Sequence, residues 1–291
     1  MSLNVLNSES RSPERIREHY RIEKELAERL RTAGKNERRK LYTAVYDELF
    51  QRVPDHPQLT RKADAQTRSF AVAERLRLLS RYLRPSSTYL EIGPGDCSLA
   101  IEVARRVAKV YAVDVSHEIA RGAALPENME LVISDSCNIP VADGSVDVAY
   151  SDQLMEHLHP DDAIEQLRNI HRALVPRGIY ICITPNRLSG PHDISRDFDD
   201  AATGLHLKEY TAAELVRIFR SVGFRKLEVV VGARGVHVTL PTAFLEALEA
   251  FLTRLPPRFV RTLARKLPFR VILGLKVVGT KQVASAPEPT G

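Results

Sequence analysis

Cysteine is scarce. The 291-residue chain has three, Cys97, Cys137 and Cys182, each standing alone without the spacing of a metal site or a redox pair. A reduced, cytoplasmic chain is the simplest expectation. No apolar run reaches the roughly 18 residues needed to cross a bilayer. The polar, charged stretch from Met1 to Leu30 has no apolar core of a secretory signal. Internal repeats and coiled-coil heptads are missing too. Few aromatic residues stand in the basic segments, which argues against a surface that stacks nucleic-acid bases.

What is present is the composition of a folded protein. Apolar residues make up 44% and charged residues 27%, too apolar for disorder and enough for a sizeable core. The net charge of +5 is unevenly spread. Residues 1–85 carry 19 Lys+Arg against 12 Asp+Glu, residues 86–240 carry 15 against 22, and residues 241–291 carry 8 against 3. An acidic centre lies between two basic ends, so any acidic partner is to be sought at the ends.

Ser12-Pro13-Glu14 opens a first helix, with Ile16, Tyr20, Ile22, Leu26 and Leu30 as its apolar stripe and Gly34 as its expected stop. Helices are expected over 36–52 and 65–83. At Pro85 the pattern changes. Short β-branched or apolar runs at 88–92, 110–113, 131–133, 146–150 and 179–183 alternate with turns and with helices at 97–107 and 160–174. That is the alternation of a parallel sheet covered on both faces. Thr211-Ala212-Ala213-Glu214 is a capping box for a helix running to Val222, with Gly223 as its stop. Strands at 226–231 and 271–278, separated by a helical stretch at 242–267, close the sheet. The expectation is an α/β fold: a Rossmann-like, seven-stranded, mostly parallel sheet with an antiparallel last strand and helices on both faces. Along the chain it is organised as an N-terminal helical extension (1–85), a core (86–240), an amphipathic helical insertion with the last strand (241–281) and a disordered tail (282–291).

The informative segment is Leu90-Glu91-Ile92-Gly93-Pro94-Gly95-Asp96. Glycines after a first strand let the backbone approach a ligand closely at a helix N-terminus. Asp114 ends the next strand, where an acid can accept both ribose hydroxyls of a nucleoside. Glu91, Asp96, Asp114, Asp135 and Asp152 all fall at or just past strand ends, the ligand-binding edge of an open α/β sheet. A crowd of carboxylates is a poor host for a pyrophosphate and suits a ligand with a nucleoside and a cation.

These motifs resemble the class I S-adenosylmethionine-dependent methyltransferases. The resemblance runs from Pro85 to Val231 and extends to the last strand. It rests on LEIGPGD at 90–96, YAVD at 111–114, SDSCNIP at 134–140, DGSVDVAYSDQLMEHL at 143–158 and LVPRGIYICITPN at 174–186. It departs at Cys97, where many members have a third glycine, so a tighter or differently shaped turn is expected there. The resemblance implies S-adenosylmethionine as cofactor. It implies that Gly93 and Gly95 give backbone access to the methionine part, that Glu91 positions its ammonium, and that Asp114, with Val115 beside it, holds the ribose. By the same resemblance Asp135 accepts from the adenine amino group, Ser136 offers a backbone contact, and Asp152 and Gln153 line the methionine side.

The chemistry beyond the cofactor is thinner. His157, after the fourth strand with Glu156 and His159, could take a proton from a hydroxyl, or pack beside the cofactor or cap the helix opening at Pro160. His206 faces the pocket or orders its loop. Some methyltransferases of RNA-end 2′-hydroxyls and of quinones carry a Glu-x-x-Glu-His metal motif here. In this chain Gln153 replaces the first carboxylate, and no metal is expected. The 185–208 loop, with Arg187, His192, Asp193, Arg196, Asp197, Asp199 and Asp200, has the length of a substrate lid. In 242–267, Phe244, Leu245, Leu248, Phe251, Leu252 and Leu255 recur at helical spacing, as expected of core packing or a homodimer face, or of contact with an anionic membrane. The expected reaction is O-methylation of a small-molecule or glycan-type acceptor, with no nucleic-acid partner. The alternatives are an RNA 2′-hydroxyl methyltransferase with a degenerate metal motif and a non-catalytic S-adenosylmethionine-binding module.

Overall fold

The computed structural model describes residues 11–60, 65–115, 124–233, 235–264 and 266–282. The expected tail beyond 282, like the first ten residues, lies outside them. Eight strands form one sheet: β1 (Thr88–Ile92), β2 (Lys109–Asp114), β3 (Met129–Ile133), β4 (Val146–Asp152), β5 (Leu174–Thr184), β6 (Phe224–Ala233), β7 (Val236–Leu240) and β8 (Leu275–Lys281). Their order is β3-β2-β1-β4-β5-β8-β6-β7. Strands β1 to β5 pair in parallel, and β8 runs antiparallel between β5 and β6. The α/β expectation holds with two corrections. The sheet has eight strands rather than seven, because the chain turns back at Gly235 and adds β7 as a hairpin partner of β6. The last strand starts at Leu275 rather than Val271, since Phe269–Ile272 form a short helix; a brief apolar run does not distinguish the two by periodicity.

The helices are α1 (Pro13–Thr32), α2 (Lys35–Arg52), α3 (Pro57–Thr60), α4 (Ala65–Leu79), α5 (Ser98–Ala104), α6 (Pro160–Ala173), α7 (Ala212–Val222), α8 (Thr242–Leu252), α9 (Pro257–Ala264) and α10 (Phe269–Ile272). The Ser12 side chain caps α1, and both halves of the Thr211–Glu214 capping box are formed. Gly223, at φ +119°, ends α7. Gly34 does not stop α1 in a left-handed turn. The helix ends at extended Ala33, and Gly34, at φ −67°, is the N-cap of α2.

One face of the sheet is covered by α6 and α7, through Leu167, Ile170, Leu215 and Phe219, in a core that also takes in Leu26 and Leu30 of α1 and Val45 and Leu49 of α2. The other face is covered by α4 and α5, through Leu78, Leu79, Ala100 and Val103. The N-terminal helices also reach the 185–208 loop. Tyr20 stacks on Phe198 with ring centres 4.3 Å apart, Arg31 donates to the carbonyls of Thr203 and Gly204 at 3.1 Å, and Glu23 accepts from the Leu205 amide at 3.2 Å. In the insertion, Leu245, Leu252, Val260 and Ala264 are buried while Phe244, Phe251, Phe259 and Leu267 are exposed.

Candidate active site

β1 lies between β2 and β4, so the strand order reverses at its C-terminal end, where an open α/β sheet holds its ligands. The chain leaves β1 through three left-handed residues: Gly93 at φ +69°, Gly95 at +57° and Cys97 at +59°. A Cβ on Gly93 would lie 3.2 Å from Leu154. One on Gly95 would project into open space, with no described atom within 4 Å. Cys97 takes the geometry a third glycine would take, with its side chain fully buried. A side chain in that region costs about 1–2 kcal/mol.

Glu91, near the end of β1, is buried and accepts from the Tyr89 hydroxyl at 3.2 Å; burial, with the charge of Asp152, pushes its pKa up to about 8. Asp152 ends β4 and is bound by Arg75 of α4 and by the Tyr150 hydroxyl at 3.2 Å. Glu91 and Asp152 line a cavity of about 240 Å³ together with Arg68, Arg75, Gly93 and Gly95. Asp114, buried at the end of β2, accepts from the Val115 amide at 2.7 Å. It lines a second cavity of about 60 Å³ with Gly93, Val115, Ser136, Leu154 and Gln166. The two cavities meet at Gly93. The structure thus gathers Glu91, Gly93, Gly95, Asp114, Val115, Ser136 and Asp152 along one cleft. Asp135 and Gln153 lie differently. Asp135 turns into its own loop, accepting from the amides of Cys137 (3.2 Å) and Asn138 (2.9 Å) and from the Asn138 side chain (2.9 Å). Gln153 is exposed and lines another cavity with Thr184, Asn186, His192 and Arg196.

Past Leu154, the turn Met155–His157 leads to a further cavity of about 180 Å³. Its walls carry His19, His56, His157, His192 and His206, with Glu23, Asp193, Arg11 and Arg196. His157 Nδ1 faces the Tyr46 hydroxyl at 2.8 Å and the Leu205 carbonyl at 3.1 Å. A carbonyl only accepts and a hydroxyl can do either, so both contacts are hydrogen bonds only when the ring proton is on Nδ1, the Tyr46 hydroxyl accepts and Nε2 carries the lone pair. Burial and the neighbouring His206 lower the His157 pKa to about 3. His206 Nδ1 is hydrogen-bonded to Glu209 at 2.8 Å; burial lowers its pKa, but that bond and the charge of Glu156 outweigh it and raise the net value. Glu156 is fully buried. Its Oε2 accepts from the Thr184 hydroxyl at 2.9 Å, its Oε1 has no partner among the described residues, and burial pushes its pKa up to about 7.

A family profile described as a methyltransferase domain matches residues 63–229, more than half of the chain. The chain belongs to the methyltransferase domain family. With this sheet it is of the class I, S-adenosylmethionine-dependent kind. A Mycolicibacterium smegmatis protein named "Probable S-adenosylmethionine-dependent methyltransferase" is 30% identical over 138 residues, which cover 46% of this chain and 51% of the relative. A similarly named protein of Mycobacterium tuberculosis is 29% identical over 136 residues, 46% of this chain and 47% of that one. The chain thus spans about half the length of these curated relatives. Among solved structures, a SAM-dependent methyltransferase from Archaeoglobus fulgidus matches with a TM-score of 0.50 at 19% identity, covering 74% of this chain and 94% of that one. The Haemonchus contortus phosphoethanolamine N-methyltransferase 2, solved with phosphomonomethylethanolamine and S-adenosylhomocysteine, matches with a TM-score of 0.50 at 15% identity, over 72% and 53%. At these identities the likeness is one of fold.

The cleft over Gly93 and Gly95 is the candidate cofactor side, and the histidine-lined cavity is the candidate acceptor side. Sequence reasoning missed the parts supplied by the helical extension: Arg68 and Arg75 on α4, Tyr46 on α2, and His19, Glu23 and His56. One signal was available. His19 and Glu23 stand one helical turn apart beside Ile22 and Leu26, so α1 carries two titratable groups on its buried face.

Proposed function

We propose that the protein transfers the methyl group of S-adenosylmethionine to a hydroxyl oxygen of a small-molecule or glycan-type acceptor. The observation that carries this reading is a juxtaposition across the turn Met155–His157. On one side is an open glycine cleft bordered by Glu91 and Asp114; on the other is a cavity walled by hydrogen-bonding side chains. The residues present fit the cofactor. The space above Gly95 admits a chain close to the backbone. A buried carboxyl raised as Glu91 is gains from a cationic partner, which suits the ammonium of the methionine part. Asp114 offers a carboxylate to vicinal ribose hydroxyls. The apolar edges of Ile92, Val113, Val115 and Leu154 suit the adenine ring, with Ser136 and the Asp135 loop at its rim.

The cofactor supplies a methyl group already activated by sulfonium charge. The chain's part is to hold the acceptor oxygen in line, exclude water and receive the hydroxyl proton as the C–O bond forms. His157 presents Nε2 on the acceptor side, but a ring titrating near 3 is a weak proton acceptor. It serves better to orient a hydroxyl than to deprotonate it. Arg11 and Arg196 as donors, and Glu23 and Asp193 as acceptors, give the cavity the mixed polarity that a hydroxyl-rich acceptor needs.

The test is transfer from methyl-labelled S-adenosylmethionine into fractionated extract of the source organism. Label is expected in small-molecule or saccharide fractions, as an alkali-stable methyl ether. Label confined to RNA would overturn the acceptor reading, and tight cofactor binding without transfer to any fraction would favour the non-catalytic module.

A further inference from the structure

Three groups of metal-ligating side chains converge among the described residues, and only one is still available for an ion. In the first, His19, Glu23 and His56, the Arg11 guanidinium lies 2.9 Å from His19 Nδ1, and His19 Nε2 lies 2.7 Å from Glu23. A guanidinium only donates and a carboxylate only accepts, so both ring nitrogens of His19 are spent. In the second, Cys137, Asp162 and Glu165, both oxygens of Asp162 are held by Arg38. The third, Glu156, His157 and His206, differs in each respect. His206 Nδ1 faces the Glu209 carboxylate, a pure acceptor, and His157 Nδ1 faces the Leu205 carbonyl and the Tyr46 hydroxyl, which accepts when Nδ1 carries the ring proton. With both Nδ1 atoms protonated each Nε2 keeps its lone pair, and both rings line the same cavity. Glu156 Oε1 is buried with no partner among the described residues.

We propose that Glu156, His157 and His206 form a divalent transition-metal site on the acceptor side of the cavity. One ligand atom from each residue lies within 4.8 Å of the others. Three atoms bonded at 2.0–2.2 Å to one tetrahedral ion stand about 3.3–3.6 Å apart, so the three side chains would close in by up to about an ångström on binding. Glu209 and the Leu205 carbonyl act as the outer hydrogen-bond acceptors that fix ring orientation in such sites. Two imidazoles and one carboxylate favour a first-row ion such as Zn²⁺, Co²⁺ or Mn²⁺ over Mg²⁺ or Ca²⁺. The expectation of no metal counted Gln153 as a lost ligand. Gln153 faces another cavity, and His206 takes the third place instead. Coordination positions left open towards the cavity can take an acceptor hydroxyl and lower its pKa, which removes the need for a strong base among the side chains. That use rests on the methyl-transfer reading; the site itself does not.

The experiment is titration of the untagged, chelator-treated full chain with Co²⁺, read by visible absorption and calorimetry. One equivalent is expected to bind with imidazole-type bands. Glu156→Gln and His206→Ala should each weaken it by about tenfold or more, as should Glu209→Gln, which leaves all three ligands in place. Far-UV circular dichroism and S-adenosylmethionine affinity check that each variant is folded. His19→Ala and His56→Ala should bind Co²⁺ normally. Failure of the wild-type chain to bind, retention of binding in Glu156→Gln/His206→Ala, or loss in His19→Ala would overturn the site. Co²⁺ binding as expected, with no acceptor methylated, would leave the site standing and reject the methyl-transfer reading.

Discussion

The guanidinium of Arg38 on α2 grips the carboxylate of Asp162 on α6 at both oxygens, Nε to Oδ2 at 2.7 Å and Nη2 to Oδ1 at 2.9 Å, shut away from solvent. The Tyr42 hydroxyl donates to the same carboxylate at 2.8 Å. A buried charge pair thus ties the helical extension to the core, in addition to the apolar contacts of α1 and α2. Removing one partner strands the other charge in a desolvated site. Arg38→Ala is expected to lower the unfolding free energy by about 3–5 kcal/mol, measured by urea denaturation. A loss below about 1 kcal/mol would mean that the pair behaves as a solvated surface bridge.

Asp114 carries the next prediction. If it accepts both ribose hydroxyls, Asp114→Ala removes two charge-assisted hydrogen bonds of about 1.5–3 kcal/mol each. Calorimetry should show S-adenosylmethionine affinity reduced by about 100-fold or more. Asp135→Ala should cost far less affinity, because its carboxylate is already engaged by the Cys137 and Asn138 amides. Equal effects at the two positions would sink the ribose assignment.

Glu91 predicts a proton signature. Burial pushes its pKa up to about 8, so in the free protein it is mostly protonated at pH 7. An ammonium beside it favours the carboxylate, so cofactor binding at pH 7 should release close to one proton. The calorimetric enthalpy should then vary with the ionisation enthalpy of the buffer, and Glu91→Gln should abolish that variation. The stability of the free protein has a matching sign. Between the usual value of 4.5 and about 8 the folded state holds a proton that the unfolded state has lost. Stability therefore falls as pH rises across that window, and the Gln variant should lose the slope.

The two halves of the candidate site differ in how far they can be read from the sequence, and the difference has a physical cause. The cofactor side is built from residues at the ends of consecutive parallel strands. Strands buried on both faces read as apolar runs, so Glu91, Gly93 and Asp114 are placed once β1 and β2 are recognised. The left-handed turn from Gly93 to Cys97 is legible for the same local reason, except that its third position is a cysteine. The acceptor side has no such local signature. His19, Glu23 and His56 reach it from the extension, and Glu209 reaches His206 by a hydrogen bond that no periodicity records. Among the strands, β7 is hidden because Gly232 and Gly235 read as the end of an element, whereas both take positive φ to form a hairpin.

Glu249 is the sharpest case of a residue hidden by its surroundings, and it yields a prediction. It sits on α8 in a stretch whose sequence displays the spacing of phenylalanine and leucine. Its carboxylate, 2% exposed, accepts from the amides of Ala212 and Ala213 at 2.8 and 2.9 Å and from the Asn186 side chain at 2.9 Å. A buried negative charge is tolerated there because it meets unpaired amides and the positive end of the α7 dipole. Asn186 stands at the head of the 185–208 loop, so the same carboxylate joins the insertion, α7 and the loop over the acceptor cavity. Glu249→Ala leaves three donors without this acceptor, at about 1–3 kcal/mol for each that stays buried. Unfolding should cost at least about 3 kcal/mol less, and the amides of Ala212, Ala213 and the loop after Asn186 should exchange hydrogen faster. Glu249→Gln keeps the shape and one acceptor oxygen, so it should show a smaller loss. If loop exchange is unchanged in the alanine variant, Glu249 caps α7 but does not hold the loop.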